Sequence, residues 1–354
     1  MSRFPKLKSD PYIIAEIGIN HNGRFSLAKK LIIKSKEAGA NAVKFQKRDV
    51  SDLVNYNTSP GISNGYLSKN ENDIRKKNTK FGSWAYPDLR LELNEADYKK
   101  IKTLTKKIGI DLIVTPWDEK SAQFIKKLGV KFFKIASIDA NNYHFCEFIA
   151  RQKFPTIIST GMCTYKEILL TQKIFKKYKT PHIFLHCTSA YPSDEKDKNL
   201  NCIPKLRKLL NEEVGFSGHG TGLTGAVGAT ALGAKVIEKH VTLNKKMLGP
   251  DHAASLEFST FKEMVNLCRK VHISLGKSEK KFLKSEKILH NILIRKFVVR
   301  KVIKKGEKLN FKNIKTALTY SKNGILPKDY FKILGRKVRR SLKLGHVLRN
   351  SDLT

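Results

Sequence analysis

Short runs of β-branched and apolar residues recur through the first three-quarters of the chain. Between them lie stretches whose apolar positions follow helical spacing. The runs at 12–19, 42–46, 112–116, 132–137, 156–160, 182–188, 214–219 and 235–243 predict strands. Several are continuously hydrophobic rather than alternating, the pattern of a strand covered on both faces. The intervening segments 26–38, 95–107, 119–128, 165–178 and 221–232 predict helices, the first with Ser26 as N-cap and Gly39 as its stop. A further helix is expected at 260–275. Strands and helices alternating in this way form an α/β fold with a parallel sheet, and eight units in series predict a closed (β/α)8 barrel.

Two segments break the rhythm. Residues 48–94 are polar, rich in Asn, Ser and Gly, and far longer than an ordinary βα loop, so they read as an insertion over the barrel mouth, in the position of a lid. Beyond 276 the barrel pattern stops. Residues 277–291 read as a charged linker. Residues 292–354 read as a small β-rich module carrying an internal repeat, Gly306-x2-Leu309-x4-Ile314 and Gly345-x2-Leu348-x4-Leu353, with Gly324 and Pro327 between its halves. The domain reading is therefore barrel 1–276, linker 277–291 and module 292–354. The length of 354 residues suits a barrel of about 250 residues plus such a module.

Composition narrows the class. No run reaches the roughly 18 apolar residues of a membrane span, and the short basic N-terminus has no apolar signal core, so a cytoplasmic protein without membrane association is expected. Five cysteines, odd in number and never in a CxxC pattern, argue against a disulfide framework or a thiolate zinc cage. Buried small hydrophobes are the simpler reading for them. The net charge of +38 invites a nucleic-acid partner. The lysines are spread over most of the chain without a recognisable nucleic-acid motif, so solvated faces explain the charge and no nucleic-acid partner is expected.

Chemistry in such a barrel gathers at the C-terminal strand ends, and here every strand carries a polar group there. Lys44 and Lys134 interrupt otherwise apolar strands, where a solvated lysine has no place; with Thr115, Ser137, Ser159 and Ser217 they fit a small polyanion. His219 and His240 fall at equivalent positions on adjacent strands. Each alone reads as structural, but together they can share one divalent ion and leave positions open for water and substrate. Glu16 follows Ile13-Ile14-Ala15 within a strand and is a candidate proton carrier, the other role open to it being an ion pair with Lys44 or Lys134.

The same residues carry a resemblance. Ala15-Glu16-Ile17-Gly18-Ile19-Asn20-His21-Asn22-Gly23, Val43-Lys44-Phe45-Gln46, Lys134-Ile135-Ala136-Ser137, Ser159-Thr160-Gly161-Met162, His186-Cys187-Thr188-Ser189-Ala190-Tyr191-Pro192, Ser217-Gly218-His219 and Glu238-Lys239-His240 resemble, in order, the motifs of the sialic acid synthase family. The C-terminal module resembles that family's antifreeze-like (SAF) domain. The resemblance implies a cytoplasmic enzyme that condenses phosphoenolpyruvate with an N-acetylmannosamine-type amino sugar, releasing phosphate and a nine-carbon 2-keto acid. Sibling enzymes make the 9-phosphate, legionaminate or pseudaminate. It implies a divalent ion, Mn2+ or Mg2+, on His219 and His240, and Glu16 as proton handler. Phosphoenolpyruvate would meet Lys44, Thr115, Lys134, Ser137, Ser159, Ser189 and Ser217. The amino sugar would meet Gln46, Asp139, Tyr191 and Asp251. It further implies a domain-swapped homodimer in which the module, through the neighbourhood of Tyr320 and Lys322, covers the partner's barrel. Asp139 stands where bacterial members commonly carry Glu, Lys322 lies near a position where many carry Arg, and Gly220 replaces an acidic residue of some members.

Overall fold

The computed structural model describes Phe4, residues 11–49, Leu53 and residues 91–354. It divides into two compact units, Met1–Gly276 and Lys277–Thr354. Most of the expected lid, 48–94, lies outside the described residues.

Among the described residues of the first unit, eight strands build a barrel: β1 (Tyr12–Gly18), β2 (Ala42–Lys47), β3 (Asp111–Pro116), β4 (Phe132–Ile135), β5 (Thr156–Ser159), β6 (His182–Cys187), β7 (Val214–Gly218) and β8 (Val236–Thr242). They pair in chain order, all parallel, and β1 also pairs with β8, which closes the (β/α)8 TIM barrel anticipated from the run of βα units. A two-residue strand, β9 (Leu256–Glu257), pairs parallel with the end of β8.

The two-residue period of a strand sorts the side chains into two sets. Ile13, Ala15, Val43, Phe45, Val114, Phe133, Ile158, Phe184 and Ile237 pack outward against the helices in the larger core. Tyr12, Ile14, Ala42, Ile113, Phe132, Ile157, Ile183, Leu185 and Val236 fill the lower barrel interior, with Phe4 stacked on Phe132 beneath them. One step further along each inner column the residue becomes polar: Glu16 after Ile14, Lys44 after Ala42, Thr115 after Ile113, Lys134 after Phe132, Ser159 after Ile157 and Glu238 after Val236. The apolar layer is thus the floor on which a polar layer stands.

Helices follow the strands: α1 (Phe25–Glu37), α2 (Glu95–Ile108), α3 (Glu119–Leu128), α4 (Tyr143–Arg151), α5 (Tyr165–Lys177), α6 (Cys202–Leu210), α7 (Thr224–Ala231) and α8 (Phe258–Leu275). Their ends have local causes. Asn94 and Asp118 cap α2 and α3 by accepting backbone N–H bonds, and Thr164 with Glu167 closes a capping box at α5. Ser26, expected as the first cap, lies inside α1; the N-cap is Arg24, which makes no side-chain bond. Gly39, at φ +91°, stands just past the helix end as expected of a stop. Helices α4 and α6 do not figure in the sequence reading.

The second unit has its own core. Helix α9 (Lys287–Leu293) begins in the stretch read as a linker and crosses its expected end at 291, because Ile288, Leu289, Ile292 and Leu293 repeat at helical spacing there. Strands β10 (Arg295–Val299) and β11 (Ile314–Leu318) pair antiparallel, and a short α10 (Tyr330–Ile333) follows. The internal repeat is structural. Gly306 and Gly345 both take positive φ, and Leu309, Ile314, Leu348 and Leu353 all enter one buried cluster with Phe297, Val299 and Ile303.

Candidate active site

Above the apolar floor of the barrel a cavity of about 420 Å³ opens, lined by groups from every one of the eight strands or the loops after them. Register explains the arrangement. Glu16 sits level with Lys44 on one side and His240 on the other, Gln46 with Thr115, and Ser217 with Glu238.

Four buried charges form the centre. The Lys44 ammonium lies 3.0 Å from Glu16 Oε1 and 3.7 Å from Glu238 Oε1, and donates to Thr115 Oγ1 at 3.1 Å. Lys134 donates to Ser159 Oγ at 2.7 Å and lies 3.9 Å from Glu238 Oε1, which also accepts from Ser217 Oγ at 3.0 Å. Gln46 Nε2 donates to Glu16 Oε1 at 2.9 Å, and Gln46 is itself held by Tyr98, whose hydroxyl donates to its carbonyl at 2.6 Å. The second oxygens of Glu16 and Glu238 are buried without a hydrogen-bond partner.

The two carboxylates are driven apart. Burial raises the Glu16 pKa, and the opposing pull of Lys44 does not cancel it. Burial also works on Glu238, but Lys134 and Lys44 outweigh it and hold that group ionised. Two carboxyls whose environments separate their protonation divide naturally into a proton carrier and a fixed charge. Lys134 is pulled down to about 8, chiefly by burial. Lys44 is also buried, but Glu16 and Glu238 keep it above its ordinary range.

The histidines meet beside this cluster, with ring centroids 5.3 Å apart. His219 Nδ1 lies 3.0 Å from the Thr188 carbonyl, a contact that places the proton on Nδ1 and turns the Nε2 lone pair to the cavity, 2.9 Å from the Tyr191 hydroxyl. His240 is kept neutral by burial first and by His219 and the nearby lysines after it. Its Nδ1 has no hydrogen-bond partner, and Asp251 Oδ2 stands 3.6 Å away. A neutral His240 with an orphaned nitrogen and an adjacent carboxylate, beside the Nε2 of His219, fits a divalent ion. Among the described residues no three His, Cys, Asp or Glu side chains form a ready cage. The residues therefore fit an ion with open positions rather than a closed structural site.

Asp251 is carried on the loop after β8, and the Asn20-His21-Asn22-Gly23 motif is its scaffold. Asn20 donates to the Val241 carbonyl and Ser255 Oγ, Ser255 donates to the Asp251 carbonyl, and Asn22 donates to the Leu248 carbonyl. Gly18, at φ +54°, leaves room for the convergence; a Cβ there would stand 3.2 Å from Asp251, Gln46 and Glu16 at once.

Ser137, Ser189 and Tyr191 line the cavity as anticipated. Strand β4 ends before Ser137, which sits instead in a 3-10 turn (Ser137–Asp139). That turn separates Asp139 from the others: it is half-buried, it accepts from Asn142 Nδ2 at 3.1 Å, and it does not line the cavity. Glu238, Trp117 and Ile138 line it too; the sequence marks Glu238 as a polar strand-end group without a role, and Trp117 and Ile138 do not stand out in it. The signal for Glu238 was present, since it lies two residues before His240 on the same strand face. Ile138 and Met162 are exposed at 58% and 65% and, with Trp117, give the mouth an apolar lip. All five cysteines are free, but Cys187 exceeds the role of a buried hydrophobe: it accepts from Ser137 Oγ at 3.3 Å and lies 3.7 Å from His219 Nδ1. No helix among the described residues is long and apolar enough to cross a membrane.

The NeuB family model matches residues 31–280, most of the barrel that carries this site. The chain belongs to the NeuB, or sialic acid synthase, family. It is 34% identical to N,N'-diacetyllegionaminic acid synthase of Legionella pneumophila over 95% of its length and 93% of the relative. It is 35% identical to N-acetylneuraminate-9-phosphate synthase of Mus musculus, covering 92% of this chain and 88% of the mouse protein. Among solved structures, the N-acetylneuraminic acid (sialic acid) synthetase of Leptospira borgpetersenii superposes with a TM-score of 0.68 at 29% identity, over 83% of this chain and 98% of that one. Family membership thus rests on the chain as a whole, and its members are synthases with differing sugar acids as products.

Proposed function

We propose that this NeuB-family enzyme is a transferase that condenses phosphoenolpyruvate with an N-acetylmannosamine-type amino sugar, giving a nine-carbon 2-keto acid and phosphate. The observation that carries the reading is the layer of two ammonium groups, two carboxyls and a fan of hydroxyls closed over an apolar floor, beside two imidazoles. Lys44 and Lys134, with Thr115, Ser137, Ser159, Ser189 and Ser217, would bind the phosphate and carboxylate. Gln46, Tyr191 and Asp251 would orient the sugar, with Asp139 at the edge. The apolar lip of Trp117, Ile138 and Met162 suits an N-acyl methyl group. A divalent ion on His219 and His240, Mn2+ or Mg2+, would supply Lewis-acid polarisation of the aldehyde.

The chain's own residues do the rest. The barrel holds C3 of phosphoenolpyruvate against the aldehyde carbon, where the new C–C bond forms. Glu16 gives a proton to the aldehyde oxygen as that bond forms and takes one back from the water that adds at C2. The C2–O bond then breaks, C2 becomes the ketone, and phosphate departs with the former bridging oxygen and the remaining hydroxyl proton. Phosphoenolpyruvate carrying heavy oxygen in its bridge should therefore deliver the label to phosphate; label retained in the sugar acid would overturn this reading.

Two smaller expectations follow from the anion end. The Lys134 ammonium is lost as pH rises through about 8, so the KM for phosphoenolpyruvate should climb above that pH, and Lys134→Met should flatten the climb. A Cβ at Gly161 would stand 2.2 Å from Ser189 Oγ and 2.8 Å from Ser137 Oγ. Gly161→Ala should displace both hydroxyls, and two lost hydrogen bonds at about 1 kcal/mol each correspond to a KM raised on the order of 10- to 30-fold. A KM within twofold of wild type would count against those serines as ligands.

The assembly belongs to the same proposal. In a cytoplasmic swapped homodimer the C-terminal module would complete the partner's site through Tyr320 or Lys322. A monomer at micromolar concentration with full activity would exclude it.

A further inference from the structure

Behind His219, on the side away from the cavity, two lysines are almost fully buried: Lys198 at 5% exposure and Lys239 at 3%. Lys239 belongs to the outer set of β8 and donates to the carbonyl of Gly220, the residue after His219. Lys198 lies on the segment that follows β6, residues 188–201, and donates to Glu195 Oε1. The other Glu195 oxygen accepts from Thr224 Oγ1 at 2.7 Å, in the first turn of α7. One carboxylate therefore spans two segments, the loop after β6 and the helix after β7.

The same two segments are stitched at the backbone around His219. Its Nδ1 meets the Thr188 carbonyl at 3.0 Å, and its own carbonyl accepts from Ser193 N–H. Thr188 Oγ1 donates to the Asp197 carbonyl at 2.9 Å, and the Lys198 carbonyl meets His186 Nε2 at 2.7 Å. The fit is close: a Cβ on Gly220 would stand 3.0 Å from Lys198 Cε and 3.2 Å from the Ser193 carbonyl. Ser189 and Tyr191, which line the cavity, ride on this loop. A buried ammonium without a counter-charge is costly, so the loop's course depends on the anion that meets Lys198. Glu195 is that anion, and its own side chain is 65% exposed, so its job is not to fill a core.

We propose that Glu195 is a positioning residue: by holding Lys198 and Thr224 it fixes the loop that orients His219 from behind and carries Ser189 and Tyr191 into the cavity. The inference rests on the reading of His219 as a metal-bearing residue. Outer partners of metal-ligating histidines typically change metal affinity by about 10–100-fold when altered.

The test is Mn2+ binding by calorimetry to the full-length protein, alongside steady-state kinetics and thermal melting. Glu195→Gln should weaken Mn2+ binding by about 10-fold or more, lower kcat and raise the KM of the amino sugar. The KM of phosphoenolpyruvate should rise less than that of the amino sugar, because Lys44 and Lys134 are anchored elsewhere and Ser189 is the one of its expected ligands that rides on this loop. Glu195→Asp, which keeps the charge, should recover most of the Mn2+ affinity; Glu195→Gln should not. Thr224→Val removes the second arm alone and should show a smaller change in the same direction, which keeps the test open should Glu195→Gln fail to fold. Mn2+ binding by Glu195→Gln within twofold of wild type would overturn the inference. So would a fall in kcat that tracks the folded fraction while both KM values stay unchanged. Absence of Mn2+ binding by wild type would instead remove the metal reading, and the inference with it.

Discussion

Glu16→Gln is expected to leave a folded barrel that turns over about 10²–10⁴-fold more slowly, the range typical of a lost general acid–base group. The amide keeps the shape of the side chain and an oxygen to accept from Lys44 and Gln46. What it loses is the ability to take up and return a proton. Glu16 is the carboxyl suited to proton transfer because it is fully buried, raised in pKa by desolvation, and left with one oxygen unbonded, while Glu238 is held ionised by Lys134 and Lys44. Turnover within about threefold of wild type, a difference of roughly 0.65 kcal/mol, would demote Glu16 to an ion-pair partner of Lys44. A melting temperature near that of wild type should accompany the slow variant, separating lost chemistry from lost structure.

Exhaustive chelation is expected to stop turnover, and His240→Ala to bind Mn2+ at least about 100-fold more weakly, a larger loss than that of an outer partner. The expectation stands on this chain's own geometry. His219 turns its Nε2 lone pair to the cavity because the Thr188 carbonyl meets Nδ1. His240 is buried, neutral and carries an unbonded Nδ1. A buried nitrogen left so costs stability unless something meets it. Retained Mn2+ in His240→Ala, measured by metal content after gel filtration, would contradict the assignment. So would full turnover by protein from which all divalent metal has been removed.

The barrel was legible because two periods agree along the chain. Runs such as Tyr-Ile-Ile-Ala-Glu and Ala-Val-Lys-Phe-Gln put their outer members against helices and their inner members on the barrel axis. A charged residue on the inner face of such a run has only the barrel mouth to face, which is why Glu16, Lys44 and Lys134 are legible as site residues. Legibility failed where the period stops. Asp139 follows the end of β4 in a 3-10 turn, and there the strand alternation no longer dictates direction. Helix α6 contains Pro204 near its start and has no side-chain cap, so neither of the usual signals announced it. Helix α4 is short and begins just after the same turn. Glu238 is legible in the sequence as a polar strand-end group, but its part is set by contacts the sequence does not give: Lys44, Lys134 and Ser217 converge on one of its oxygens.

The contacts behind His219 could not be read from sequence at all. Lys198 and Glu195 lie in a stretch whose charges look solvated, and only the folded loop buries one of them.

The proposed reaction consumes phosphoenolpyruvate only when an acceptor is present, and that requirement is directly measurable. Purified protein should be given phosphoenolpyruvate, Mn2+ and a panel of N-acylated amino sugars and their 6-phosphates, with phosphate release followed and each product weighed by mass spectrometry. Phosphate release should depend on one class of amino sugar, with a product equal to that sugar plus the elements of pyruvate. Phosphate released equally without any sugar, or no release with any member of the panel, would contradict it.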